Sequence, residues 1–556
     1  MSEQDKIVRA LAQPSFYPRP PATVRHHQTH ISHVFVAGPF AYKLKKAVAF
    51  SFADFSTPAR RRELCVEEVR LNRRLCAPLY LGVRSVTRAA DGTLALDGEG
   101  EPVEALVWMR ALPERGMLTD ALDEGRVTAA TMAELARTLA RFHASPETVL
   151  ATEDDAAPEV LDERWRRVLA DAAPMVGTLL GAADHAVLSD FGPTFVQRHA
   201  SLLRARGPAG KVRDGHGDLH AGNLCLVEER LPAIDGAPVV EPGLYAFDCL
   251  EFSAELRAGD VAAEVAFLAM DLVVRGHADL AAAFVDAYVA ATGDDELRIL
   301  LPFYGCHRAC VRGMVLGLAA RAEDAPADER AAAAERGARH FAHATRLAWR
   351  AAGPALVLCS GLSGSGKTTL AVALAATTGF RLLSSDALRK QRAGLDPHAR
   401  TPETLTPALY GAEARAAVYD ALAELAEAAL RAGDAVILDA TYHRRTERQA
   451  IHALARRLRV PCVVVTCSAD EDTVRARLEQ RATRPRESAA GQPALSDAGW
   501  EIYRAQRADA EPPGDDEPTI PVDTSGAPAD VHAVALRALW TWRRAQPARA
   551  PLKLDA

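Results

Sequence analysis

The segment His216–Asn223 reads HGDLHAGN and sets an aspartate five residues before an asparagine in a tight loop. That spacing puts one carboxylate and one metal-binding amide around the same phosphate: Asp218 as the base for a hydroxyl proton, Asn223 as a Mg2+ ligand. Asp248 in YAFDCLEF, after the next pair of short apolar strands, supplies a second metal-binding carboxylate. A metal cluster through His216 and His220 is the weaker reading of the same string. A separate segment, Gly361–Thr368, reads GLSGSGKT and matches the eight-position phosphate loop. Its glycines, Gly361, Gly364 and Gly366, let the backbone N–H groups, including those of Leu362, Ser363 and Ser365, turn inward without Cβ collisions. Lys367 then reaches the terminal phosphates, the Thr368 hydroxyl joins a Mg2+ shell, and Thr369 continues the nucleotide-binding stretch.

Carboxylates and arginines downstream of the phosphate loop extend this chemistry. SSDALRK ends a strand near Asp386, with Arg389 one helical turn on. Asp386 there can take a hydroxyl proton, and the planar fork of Arg389 suits phosphate oxygens. A helix N-cap is the plain alternative for Asp386 and is compatible with the first role. AVILDAT ends a buried strand on Asp439, the place for a carboxylate that orients Mg2+ through water. RARLEQRATRPR offers Arg477, Arg481 and Arg484, the first two on one helical face, as a lid over the phosphates or as a solvated basic face. TIPVDTSG reads as a strand whose exit, at Asp523 and Thr524, would flank an adenine.

A kinase-type centre around Asp218 also requires a strand lysine paired with a helical glutamate. AYKLKK offers Lys43 and Lys45 on one strand face, with Lys43 preferred. RRRELCVEEVRLNRRL offers Glu67 and Glu68, with Glu68 preferred because Leu71 and Leu75 would pack it inward. The first turn, THISHVF, lacks glycines, so Thr29, Ser32 and backbone amides would have to meet the phosphates.

The elements needed to carry these residues are legible. Residues 23–110 read as short strands with one inserted helix near 58–76, a mixed lobe around a sheet. Residues 127–205 and 254–320 recur at helical spacing and form a helical lobe, with the Asp218 loop and a hairpin between them. An Ala-, Arg- and Glu-rich stretch over 321–352 reads as an exposed connecting helix. Beyond it strand, loop and helix alternate, which implies a parallel sheet covered on both faces. The expected domains are 1–322, a connecting helix over 323–353, a second domain over 354–545 and a tail over 546–556.

The chain has 556 residues, 49% hydrophobic and 25% charged, which suits a globular protein of two to four domains and excludes a single small binding module. A net charge of −7 argues against a protein that coats nucleic acid or an anionic membrane. Nine irregularly placed cysteines, a start without an apolar signal core and no long uncharged apolar run lead to the expectation of a cytoplasmic protein with no membrane segment. Cys306 and Cys310, flanking His307, read as buried thiols rather than half a metal site.

Residues 355–545 resemble the phosphate-loop kinase group of gluconate kinase, polynucleotide kinase, zeta toxins and chloramphenicol phosphotransferase. The resemblance implies phosphoryl transfer from ATP to a hydroxyl, with Asp386 as base and Arg389 on phosphate. Residues 23–320 resemble the aminoglycoside phosphotransferase and choline kinase group through HGDLHAGN, Asp248, and the segment with Arg257 and Asp260. The chain as a whole is similar to bacterial fusions of the two. Together these imply a protein-kinase-like N-terminal fold of α+β type and a C-terminal P-loop NTPase parallel α/β sandwich. They also imply Mg2+ and ATP as cofactors, and a small hydroxyl compound rather than nucleic acid as acceptor. A nucleotide-sensing N-terminal pseudokinase that regulates a single active phosphate-loop kinase, with a small-molecule or 5′-hydroxyl acceptor, is the alternative.

Overall fold

The computed structural model describes residues 3–29, 31–50, 53–150, 154–323, 325–396, 411–483 and 498–546. They form two compact units, one of residues 1–167 and 193–309, the other of residues 168–192 and 310–556. The units therefore do not follow the division in chain order expected near 322.

In the first unit a six-stranded antiparallel sheet runs in the order Val24–Gln28, Ser32–Ala37, Phe40–Lys45, Glu101–Arg110, Tyr80–Arg88, Leu94–Leu96. Strand alternation divides its core in two. Phe40, Tyr42 and Leu44 pack with Ile7 and Leu11 of the N-terminal helix on one face, while Ala41 packs with Cys65, Val69 and Val107 on the other. The helix Pro58–Cys76 covers that second face. It starts on Pro58 behind Thr57, whose hydroxyl accepts from Arg60 N at 3.2 Å. The helical part includes Val261–Val274, capped by Asp260, whose Oδ1 accepts from Ala262 N at 2.9 Å. Asp260 is also held by Arg206 at 2.7 and 2.8 Å, and Arg206 reaches Asp294 at 2.6 and 2.8 Å, so this buried arginine is fully paired. Arg257 donates to Asp214 Oδ1 and to the Leu250 carbonyl, both at 2.8 Å, and braces the same segment.

In the second unit five parallel strands run in the order Arg381–Ser384, Val436–Asp439, Leu356–Ser360, Cys462–Ser468, Thr519–Asp523. The strand before the phosphate loop is central, and all three inner strands are buried almost throughout, as a parallel sheet covered by helices requires. The helix Ala327–Ala351 corrects the expectation of an exposed connector: Phe341, Ala344, Ala348 and Trp349 are buried along one face. Its small residues allow close approach, with Gly337 against the Gly313 carbonyl and Leu179. Cys306 and Cys310 are buried and unbridged on the helix Leu297–Ala320. Among the described residues no helix is long and apolar enough to cross a membrane.

Candidate active sites

The alternation that splits the first sheet's core also sends Lys43 and Lys45 toward the helix Pro58–Cys76. Lys43 Nζ donates to Glu68 Oε1 at 2.9 Å and Lys45 Nζ to Glu68 Oε2 at 2.6 Å. Lys43 also pairs with Asp248, and Lys45 with Glu251. Both lysines thus hold Glu68, and Lys43 is the one that reaches the candidate metal ligand. Glu67 instead faces outward and takes Arg70 on both carboxylate oxygens at 2.7 Å. Burial works against charge on Lys43, yet Asp248, Glu68 and Glu251 hold it protonated well above the ordinary lysine range. Burial likewise opposes an ionised Glu68, and the two lysines overcome it and bring its pKa down to about 2. Glu251 moves the other way, raised chiefly by burial.

The loop after the strand Val212–Asp214 brings Asp218 and Asn223 together. Asn223 Nδ2 donates at 2.9 Å to both the Asp218 carbonyl and Asp218 Oδ2, which leaves its own Oδ1 as an acceptor. The loop is anchored from the helix Val261–Val274: Gly217 N donates to Glu264 Oε1 at 2.6 Å and Ala221 N to Asp271 Oδ2 at 3.0 Å. His216 and His220 serve the loop itself, His216 Nε2 lying 3.0 Å from the Phe247 carbonyl and His220 Nδ1 accepting from Gly222 N at 3.0 Å. The hairpin Leu224–Val227 with Gly243–Ala246 pairs Leu224 with Ala246, and Phe247 N donates to the Asn223 carbonyl at 3.0 Å. That register carries Asn223 and Asp248 to one end. Asp248 itself sits at φ 60°, an unusual conformation for a non-glycine residue, with its N–H on Tyr80 Oη at 3.1 Å. The Thr29–Ser32 turn closes on itself through Thr29 N to the Ser32 carbonyl at 2.9 Å and Ser32 N to Thr29 Oγ1 at 3.0 Å.

In the second unit the candidate groups gather at the carboxyl ends of the parallel strands, where open α/β sheets bind ligands. Register sets Asp439 beside both Cys359 and Ser384. Thr368 Oγ1 donates to Asp439 Oδ1 at 3.1 Å and Ser384 Oγ to Asp439 Oδ2 at 3.2 Å. Burial raises the Asp439 pKa, with Lys367 pulling against it and Asp386 adding to it. Gly364 at φ 83° and Gly366 at φ 80° shape the loop, and Lys367 opens the helix Lys367–Thr378 buried beneath it. Thr369 is exposed one residue beyond Thr368. Leu362 packs on Val474, Leu478 and Tyr503. Asp386 lies in the first turn of the helix Ser385–Arg392 and is paired with Arg389. Arg477 Nη2 donates to the Thr524 carbonyl at 2.6 Å, and Arg481 lies one turn further along the same helix. Arg484 lies outside the described residues. Thr524 is buried, and its hydroxyl donates to the Ser365 carbonyl at 2.6 Å and braces the loop from below.

Sequence reasoning missed several supporting groups. Glu251 carried a signal, three residues after Asp248 in the same acidic string, and Ser384 preceded Asp386 by two. Tyr80, Gln506, whose Oε1 accepts from Ser363 N at 2.9 Å, and the Glu264–His143 pair carried none, since each acts across a long chain separation.

Among the described residues no three His, Cys, Asp or Glu side chains form a metal cluster. Magnesium needs none: one or two protein oxygens plus phosphate oxygens suffice. Asn223 with Asp248, and Thr368 with Asp439, are hard oxygen donor pairs that fit it, and the Lys43 ammonium against Asp248 shows that this carboxylate accepts a cation.

A family model described as an AAA domain matches residues 356–505. The sugar kinase structure from Janibacter sp. HTCC2649 is 24% identical and covers 34% of this chain and 94% of its own, with a TM-score of 0.25. A choline/ethanolamine kinase family protein from Mesorhizobium loti is 12% identical over 61% of this chain and 98% of its own, with a TM-score of 0.33. The uncharacterized protein Rv2004c of Mycobacterium tuberculosis (strain ATCC 25618 / H37Rv) is 31% identical over 462 residues, 82% of this chain and 86% of that one. With that identity held over most of both polypeptides, the chain belongs to the family of that mycobacterial protein.

Proposed function

We propose that the protein is an ATP-dependent phosphotransferase with two nucleotide sites, each moving the γ-phosphoryl group of Mg·ATP to a hydroxyl of a small molecule. The observation that carries this reading is that each unit independently gathers a candidate base, a cation for phosphate and a hard-oxygen donor pair: Asp218, Lys43 and Asn223/Asp248 in one, Asp386, Lys367 and Thr368/Asp439 in the other. Functionally the chain divides as 1–322 and 354–545, joined through 323–353 and followed by the tail 546–556, because each constellation falls inside one of those spans.

Bound Mg2+ would neutralise charge on the β- and γ-phosphates. In the first site Asp218 accepts the acceptor hydroxyl proton, Asn223 holds the Asp218 carboxylate in place, and Lys43, oriented by Glu68, binds phosphate oxygens. In the second, the loop amides and Lys367 cradle the phosphates, Asp386 takes the proton, Arg389 binds the transferring group, and Arg477 and Arg481 stand over the loop. Catalysis on this scheme is positioning and charge neutralisation.

A second reading makes the first unit a nucleotide sensor. The self-closed Thr29–Ser32 turn favours it, since two of its amides are already used. Calorimetry with Mg·AMP-PNP, together with γ-labelled ATP transfer to a metabolite extract, tests both. Two equivalents bound, one lost in Lys367→Ala, and transfer abolished separately by Asp218→Ala and Lys367→Ala support two active sites. Transfer insensitive to both substitutions refutes it. Two equivalents with transfer sensitive to Lys367→Ala alone makes the first unit a sensor.

A further inference from the structure

A pocket of about 80 Å³ lies against the Asp218 loop, lined by Gly215 of that loop and by Glu264, which holds it. Its walls also carry Arg164, Tyr304, His307 and Arg308. The volume has room for several waters, and so for an anionic head group.

The charges in the walls do not cancel. Asp260 is consumed by Arg206, Glu264 by His143 at 2.9 Å and by Gly217 N, and Arg257 by Asp214. Arg164 spends its terminal nitrogens on the carbonyls of Asp155, Ala258 and Glu255, and meets one carboxylate oxygen, of Asp155, at 3.5 Å. Arg308 has no carboxylate at ion-pair distance among the described residues, and the carboxylates whose charge reaches it are Asp218 and Glu264. It stacks over Phe267 at 4.8 Å, and Phe267 in turn meets His220, whose Nε2 is 3.5 Å from Asp218 Oδ2. Arg308 therefore stands one ring away from the group that contacts the candidate base. Two buried donors in the walls, Arg164 Nε and Tyr304 Oη, have no partner, an unfavourable state that a ligand or water in the pocket would relieve. Burial drives the His307 pKa down to about 3, so its ring is neutral and adds a hydrogen-bonding group without charge.

We infer that this pocket is the acceptor site of the first centre and that it selects an alcohol bearing a phosphate or carboxylate group. The inference rests on the phosphotransferase reading above and names its substrate class. It departs from the cationic acceptors for which an aminoglycoside-type site would need acidic walls. The anion would lie between Arg164 and Arg308, with Tyr304 donating to it and the acceptor hydroxyl directed to Asp218. The hydroxyl proton passes to Asp218 and the hydroxyl oxygen forms a bond to the γ-phosphorus. The bond between that phosphorus and the β–γ bridging oxygen breaks, ADP leaves with the electron pair, and the acceptor leaves as a phosphate monoester.

The test uses the full-length protein saturated with Mg·AMP-PNP, so that both nucleotide positions are filled, titrated with inorganic phosphate by calorimetry. One equivalent should bind, weakened about tenfold in Arg308→Gln and in Arg164→Gln, as loss of a charged hydrogen bond predicts. Arg308→Lys should restore part of it, and Tyr304→Phe, which removes one oxygen and little packing, should weaken it severalfold. No phosphate binding, or equal affinity in Tyr304→Phe, Arg308→Gln and the parent, overturns the pocket. A second arm follows γ-labelled ATP in the Lys367→Ala protein with glycerol 3-phosphate, glycerate, glycerol and choline. Label on the first two supports the inference, and their ratio separates phosphate from carboxylate; preference for choline or glycerol overturns it. A phosphate site present with only one AMP-PNP equivalent, lost in Lys367→Ala, refutes the two-site function while leaving the anion site standing.

Discussion

Asn223 Nδ2 and Asp218 Oδ2 are 2.9 Å apart, so the amide of one candidate group fixes the carboxylate of the other before any substrate arrives. Asn223→Ala should therefore disturb both metal binding and base placement. Transfer at the first centre should fall by about 100-fold or more, with Asp218→Asn at least as severe, in line with losses of positioned acid–base groups. Steady-state transfer in a Lys367→Ala background measures it.

Lys43 and Lys45 share Glu68 but should separate on substitution. Lys45 is fully buried between Glu68 and Glu251, so Lys45→Ala removes the ion-pair partner of buried Glu251 and leaves Glu68 to Lys43 alone, and should cost about 3–5 kcal/mol in denaturant unfolding. Lys43 has Asp248 as its second partner, 40% exposed at its side chain, so Lys43→Ala should cost less stability and more nucleotide affinity. Urea melts beside AMP-PNP titrations distinguish the two, and equal stability losses would contradict this division.

Glu264 predicts acid sensitivity. Burial alone would raise its pKa, but the His143 hydrogen bond and charge, with His216 and Gly217 N, bring it from 4.5 to about 2. A depressed carboxylate pKa means stability is fully present above the unfolded value and is lost as pH falls from about 4.5 toward about 2. The full effect is of order 3 kcal/mol. Chemical denaturation of the protein at pH 6, 4 and 3 should show this slope, and Glu264→Gln should be less stable at pH 6 and flatter below it.

The phosphate loop is braced from below. Thr524→Val removes the hydroxyl that donates to the Ser365 carbonyl and should cost about 1 kcal/mol with a raised KM for ATP. Gly364→Ala should do more, because φ is 83° and a Cβ would meet Val474 Cγ1 at 2.9 Å. Nucleotide titration of both variants tests the order.

Motifs whose members are local in the chain were fully legible: GLSGSGKT between a strand and a helix, Asp218 five residues before Asn223, Asp439 at a strand end, the helix over 58–76. Backbone geometry within a few residues sets what such groups face, so type and spacing alone determine them. Parity along one strand likewise put Lys43 and Lys45 on a single face. The choice between them did not follow, since it depends on Asp248 and Glu251, about 200 residues away, brought in by the hairpin register. The helix Ala327–Ala351 was misread as exposed for a related reason: its alanines and Gly337 bury a face through close approach rather than bulk, and a hydrophobic pattern does not record that. The pocket beside the Asp218 loop was invisible as well, because Arg164 lies on the helix Pro158–Ala172 and Tyr304 and Arg308 on the helix Leu297–Ala320, and the three converge only when those two helices pack. The chain's residue order determines which phosphate-handling groups exist and how each is locally presented; tertiary packing alone decided their partners, and so the charge they offer a substrate.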